Sequence, residues 1–243
     1  MFNMVKAELY KNTRRPFLYI LTAVCGGVIA LLNSTFYFNQ TLRETAMPSM
    51  LSQSYVGLFF IVLFADVVLA EELRLGTLKN TVSFGAARGT VYGGRLIAAS
   101  ILYTAYFVGI SVVFWASGCL FMPAGPGFNG PFIANFLLRT AATLATQLSA
   151  LSLALFLALL LKRNATLIFA FFGAMLLPAG LLLYLSPQGQ IFSQLLSMTL
   201  IVQSTMVGRT AIGNMGVILL TSAVRFAVFA AAGMLVFHRQ EVN

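Results

Sequence analysis

The stretch LATQLSALSLALFLALLLKRNATLIFAFFGAMLLPAGLLLYL, residues 144–185, decides the fold. It holds two uncharged apolar runs parted by Lys162–Arg163. Each run matches the ~20 residues that cross the hydrocarbon core of a bilayer as a helix. A soluble helix of that length would carry a charged face, and neither run has one. The two basic residues between the runs form the corner of a helical hairpin, and basic corners face the cytoplasm.

Working outward, the same pattern covers the chain and predicts an all-α integral membrane protein, a single domain over 1–243. Its spans are placed at about 17–38, 48–70, 96–121, 140–161, 165–186 and 214–237. Composition agrees: 59% of the residues are hydrophobic, 9% are charged and the mean hydropathy is +0.90. A soluble domain carries roughly 25% charged residues. The net charge of +9 would hint at nucleic acid in a soluble protein. Here it reads as the cytoplasmic excess of Lys and Arg. One side collects Lys6, Lys11, Arg14, Arg15, Arg74, Lys79, Arg88, Arg95, Lys162, Arg163 and Arg239. The other has Arg43 and Arg209, with Arg139 at its edge. Both chain ends are therefore expected in the cytoplasm.

Residues 1–15 read as an amphipathic helix lying in the inner interface, with Phe2, Val5 and Leu9 on one face and Lys6, Glu8 and Lys11 elsewhere. Pro16 ends it. The first apolar run is too long for a signal-peptide core. The loop MPAGPGFNGP, 122–131, is uncharged, and 187–212 reads as a mildly apolar connection. Cys25 and Cys119 lie in apolar runs without metal or redox spacing and read as packing residues.

The most polar stretch lies between spans 2 and 3: EELRLGTLKNTVSFGAARGTVYGGR, 71–95. Gly76 and Gly85 bracket two helical turns, and a second short turn, 86–92, leads into span 3. Leu75, Leu78, Val82 and Phe84 among basic residues suit docking into a groove on a soluble partner. In this place the sequence resembles the ABC-2 type permeases, the six-span subunits of ABC transporters, and among them the small permeases of the lantibiotic-immunity type. Three segments carry the resemblance: the opening with Ala7-Glu8-Leu9 and Lys11; Glu72-Leu-Arg-Leu-Gly76-Thr77-Leu78-Lys79 with Arg88 after it; and the tail Phe237-His-Arg-Gln-Glu241. Asp66 departs from the pattern, since such permeases are usually uncharged there.

The resemblance implies a cytoplasmic coupling helix with Glu72, Gly76, Thr77, Leu78, Lys79, Val82, Phe84 and Arg88 at the docking site. Glu71, Glu72, Arg74 and Lys79 would make its ionic contacts. It further implies an ATP-binding partner that holds ATP and Mg, a second permease, identical or related, and export of an amphipathic peptide or hydrophobic compound across a bacterial cell membrane. No cofactor is expected on this chain.

No Gly-x-x-x-x-Gly-Lys-Ser/Thr loop is present, so ATP hydrolysis is expected elsewhere and the chain is not expected to be an enzyme. The single histidine, His238, is terminal, which argues against intramembrane metal or Ser–His proteolysis. Glu71–Glu72 lacks the arginine that paired-glutamate membrane proteases carry, since that position is Gly76. Pro178 in span 5 acts in packing or as a hinge. Arg139 is expected to snorkel to the outer headgroups. Asp66 belongs to the interface or to an inner gate. Arg225 falls near the midplane, where a charge costs about 2.5–3.5 kcal/mol. It either lines a polar cavity or bonds to carbonyls of neighbouring helices. Direct pairing of Asp66 with Arg225 is strained by a depth difference of roughly 10 Å. The alternative to a transport subunit is a membrane-embedded accessory or sensor protein.

Overall fold

The computed structural model describes residues 2–71, 73, 87–161, 164–209 and 212–239. Among them all regular structure is helical, and six helices are long and apolar enough to cross a membrane. The protein is thus an all-α, multi-pass membrane protein.

Helix α1 (Phe2–Thr13) ends where Pro16, which has no N–H to continue it, opens α2 (Pro16–Phe38). Span 2 is one helical rod, Arg43–Ala70, longer than its apolar run. It is built in four pieces: α3 (Arg43–Leu51), a 3-10 turn (Ser52–Val56), α4 (Gly57–Ala65) and a π turn (Asp66–Ala70). Pro48 sits inside α3 and cannot donate back to Glu44. Helix α5 (Arg88–Phe121) also runs past its apolar core, so the short turn expected at 86–92 is largely its first two turns. Helix α6 (Gly130–Leu160) begins ten residues before the predicted span. Asn129 caps it, the side-chain oxygen accepting from Phe132 N–H at 3.0 Å. Helix α7 (Asn164–Leu185) continues through Pro178.

The segment expected as a plain connection is instead a helical hairpin, α8 (Gln190–Ser197) and α9 (Leu200–Met206). Helix α8 folds back along α7, and α9 packs on the Ser52–Val56 turn, α6 and α7. Helix α10 (Met215–Arg239) closes the chain.

Helix α6 is the central element. In its apolar window 67% of the residues are buried, against 11% in α2 and 17% in α10. Ala142, Thr146, Ala150, Ala154 and Ala158, spaced by four, are all fully buried. Such a ridge of small residues lets helix backbones approach closely where lipid supplies no hydrophobic drive. Helix α10 is its main neighbour, joined there by a Thr146–Ser222 hydroxyl contact of 3.2 Å.

At the end opposite the chain termini, Arg43 and Glu44 staple the 122–131 loop. Arg43 donates to the carbonyls of Cys119 and Met122, both at 2.9 Å, capping α5, and its guanidinium stacks 4.6 Å from the Phe128 ring. The Glu44 carboxylate accepts from Gly125 N–H at 3.0 Å and Gly127 N–H at 3.3 Å. A Cβ on Gly125 would occupy the space of that carboxylate. Glu44→Ala is therefore expected to lower the melting temperature of the purified protein, and so is Gly125→Ala. In the Glu44→Ala background, where the space is vacant, Gly125→Ala should cost little. Additive losses in a double-mutant melting series would refute the staple.

Candidate functional site

Three clusters bring polar side chains together. The first is at the end of the bundle that holds both chain termini. Helix α1 turns only part of the expected face inward: Val5 is buried and Leu9 packs against the core, but Glu8 and Asn12 are buried too and Phe2 is 72% exposed. Glu8 turns inward because Arg95, on α5, is buried there. Glu8 Oε1 and Arg95 Nη2 are 3.3 Å apart, with side chains 8% and 2% exposed. Lys11 Nζ lies 3.9 Å from the other carboxylate oxygen. Just after α1, Arg15 Nη1 meets Glu71 Oε2 at 2.6 Å. Arg88, at the start of α5, donates to the His238 carbonyl at 2.9 Å, near the end of α10.

Glu71 and Arg95 flank the polar segment between spans 2 and 3. The structure thus ties α1 to its entrance and to its exit. Of the expected docking residues, Glu72, Gly76, Thr77, Leu78, Lys79, Val82 and Phe84 lie outside the described residues, as does Arg74. Arg88 is described and holds α10.

The second cluster surrounds Arg225. Its Nε donates to the Thr221 carbonyl at 3.2 Å and its Nη1 to the Met198 carbonyl at 3.0 Å. Its Nη2 donates to Gln203 Oε1 and, at 3.3 Å, to Ser222 Oγ. Gln203 Nε2 in turn donates to Thr221 Oγ1 at 2.8 Å. Arg225 thus bonds one carbonyl of its own helix and one of a neighbouring helix. Met198 is the tip of the α8–α9 hairpin. Ten residues of α10 separate Arg225 from Met215, so the tip reaches about 15 Å along the helix axis. Asp66 opens the π turn of span 2, and no ion pair joins it to Arg225. Arg139 Nη1 donates to the Val207 carbonyl at 2.5 Å, fixing the far end of α9.

The third cluster meets the second at α9, where Ser204 follows Gln203. Tyr103 Oη donates to Gln147 Oε1 at 3.1 Å, and Gln147 Nε2 donates to the Ser54 carbonyl at 3.0 Å in the 3-10 turn. Ser54 Oγ donates onward to the Ser204 carbonyl at 3.3 Å, on α9. Sequence reading missed Gln147, Gln203 and Tyr103. A lone amide or phenol in an apolar run has no periodic signal, and its partner lies on another helix.

A comparison with protein-family models and with curated proteins finds no match to this chain.

Two outcomes follow from this geometry. Removing one partner of a buried ion pair costs about 3–5 kcal/mol, because the remaining charge stays buried without that countercharge. Glu8→Leu and Arg95→Leu should each destabilise on that scale, and the double variant should cost less than their sum. Thermal unfolding of the three proteins in one detergent checks this. Arg225→Leu should cost about 1–2 kcal/mol, the range for polar contacts between membrane helices, and should free the hairpin tip. A cysteine at Ser197 would then react faster with a thiol reagent in the variant than in the parent. Equal rates would show that Arg225 does not hold the tip.

Proposed function

We propose that this chain is the membrane-spanning permease subunit of an ATP-driven exporter of the ABC-2 kind, with an amphipathic peptide or hydrophobic compound as cargo. Two permeases, identical or related, would stand side by side in a bacterial cell membrane, with both chain ends in the cytoplasm. Separate ATP-binding subunits, carrying ATP and Mg, would dock on the basic end.

The observation that carries this reading is the double tie of α1 to the polar segment between spans 2 and 3. A loop with no mechanical task needs no buried ion pair at its exit and no second ion pair at its entrance. A loop that receives a push from a partner does. Closure of the partner would move the 72–87 segment. Glu71 and Arg95 would pass the displacement to α1, to span 2 and to α5 together. Span 2 is suited to bend in response, because its 3-10 and π turns replace regular α-helix at two levels. Arg88, bonded to the end of α10, would bring span 6 into the same movement.

The test is recovery of the complex. Leu78→Asp with Val82→Asp would place two charges in an apolar groove. An affinity-tagged permease with these changes should still insert in the membrane and should lose its co-purifying ATP-binding subunit. Intact co-purification would move the docking site elsewhere. Failure of the parent protein to bring down any ATP-binding subunit would overturn the transport reading itself.

A further inference from the structure

One side of the bundle holds a cavity of about 380 Å³ between α2, the Ser52–Val56 turn, α5 and α6. Small-molecule sites occupy about 300–1,000 Å³. The wall, along Val28, Ile110 and Phe114, is hydrocarbon, and among the described residues no Asp, Glu, Lys, Arg or His lines it.

Two features separate it from a packing defect. The first is a sideways mouth. Val24, Val28 and Val56 line the cavity and are also 59%, 51% and 47% exposed. Helix α2 leans on α5 and makes no substantial contact with α4 or the 3-10 turn. Near α1, Phe17 and Phe64 close the gap, ring centroids 6.2 Å apart.

The second feature is a polar inner end. Gln147 is 2% exposed and lines the cavity. An amide offers two N–H donors and two oxygen lone pairs. Tyr103 takes one lone pair and Ser54 one N–H. Each polar atom of Gln147 thus has one protein partner, and one N–H and one lone pair stay open to a ligand. Gly57 keeps that end open, since a Cβ there would lie 2.6 Å from Gln147 Nε2.

These features select a ligand chemistry. Lipid tails are as apolar as the cavity wall, so hydrocarbon alone gains nothing by leaving the bilayer. An ionised head would be stripped of water with no countercharge nearby. A neutral head that both donates and accepts fits the free half of the Gln147 amide. At about 380 Å³ the cavity is at the small end of the range for small-molecule sites, which suits one chain rather than two. We propose that the cavity binds a neutral single-chain amphiphile, a long-chain alcohol or amide. It enters sideways from the bilayer between α2 and α4 and sets its head on Gln147. This assignment stands apart from the transport reading, since it needs neither an ATP-binding partner nor a second permease.

Cys25 lines the same cavity, and Cys119 is the second free cysteine. The Cys119→Ser protein in detergent-free lipid nanodiscs therefore carries one internal reporter. Its labelling by N-ethylmaleimide is measured with dodecan-1-ol, dodecane, dodecyltrimethylammonium or dioleoylglycerol added at equal mole fraction. Dodecan-1-ol should slow labelling about tenfold, equivalent to about 1.4 kcal/mol of protection, and the other three should leave the rate unchanged. Gln147→Leu should abolish the protection. Val28→Trp, at the half-exposed mouth where folding is undemanding, should abolish it too. No protection by dodecan-1-ol, equal protection by dodecane or the cation, or protection that survives Val28→Trp would overturn the site. Equal protection by dioleoylglycerol would overturn the single-chain assignment.

Discussion

Lipid offers no hydrogen bonds, so every carbonyl released by the end or break of a helix must find a donor inside the protein. This constraint organises the structure. Four arginines each serve the C-terminal end of a helix other than their own. Arg43 caps α5, Arg88 caps α10, Arg139 caps α9 and Arg225 caps α8. A cation at a helix C-terminus also lies at the negative end of the macrodipole. Gln147 performs the same service for the Ser54 carbonyl in the 3-10 turn of span 2. The few strong donors of this hydrophobic chain thus sit where the backbone departs from regular helix within or beside a span. They permit the short hairpin and the broken second span that an uninterrupted six-helix bundle would lack.

The Glu8–Arg95 pair at the basic end follows a different rule. There water is near, and helix ends can be solvated. Burial of Glu8 with Arg95 is therefore not required by backbone satisfaction. A buried pair is weak evidence for stability, because two apolar side chains often serve as well. What the pair does supply is register. Helix α1 can sit on α5 in only one way that brings Glu8 to Arg95, and in that placement Arg15 reaches Glu71. An amphipathic helix held only by its apolar face could slide or rotate on the bilayer surface. The ion pairs convert it into a brace with a fixed position relative to spans 2 and 3.

The sequence made legible what depends on local composition. The six spans, the helical class, the break between α6 and α7 and the place of Arg225 inside an apolar run all follow from residue type and run length. What escaped depends on pairing across the chain. Glu8 reads as polar and off the apolar face of α1; nothing nearby announces that Arg95 waits 87 positions later. Arg43 and Glu44 look like two charges in a polar connection, while their partners lie in a loop some 80 positions on. Helices α8 and α9 contain eight and seven residues, too few for apolar periodicity to stand out. Arg139 reads as an edge residue because its acceptor, a backbone carbonyl, has no signature in any sequence.

The hydrogen bonds that serve broken backbone also join into a circuit. Gln147 holds Ser54, Ser54 holds the Ser204 carbonyl, and Gln203 next to it holds Arg225. Arg225 reaches Ser222, which meets Thr146, the neighbour of Gln147 on α6. The circuit passes through span 2, the hairpin, α10 and α6 and returns to its start. Packed apolar surfaces slide with little directional preference, whereas hydrogen bonds in a dry interior have few alternative partners and resist partial displacement. A shift of the hairpin relative to α10 therefore strains the Ser54 link. That strain falls on the 3-10 turn, the least regular part of span 2, and on the amide at the inner end of the cavity. Helix α9 packs on the 3-10 turn that lines the cavity, so neither the hairpin nor the cavity can be rearranged without disturbing the bonds that hold the other.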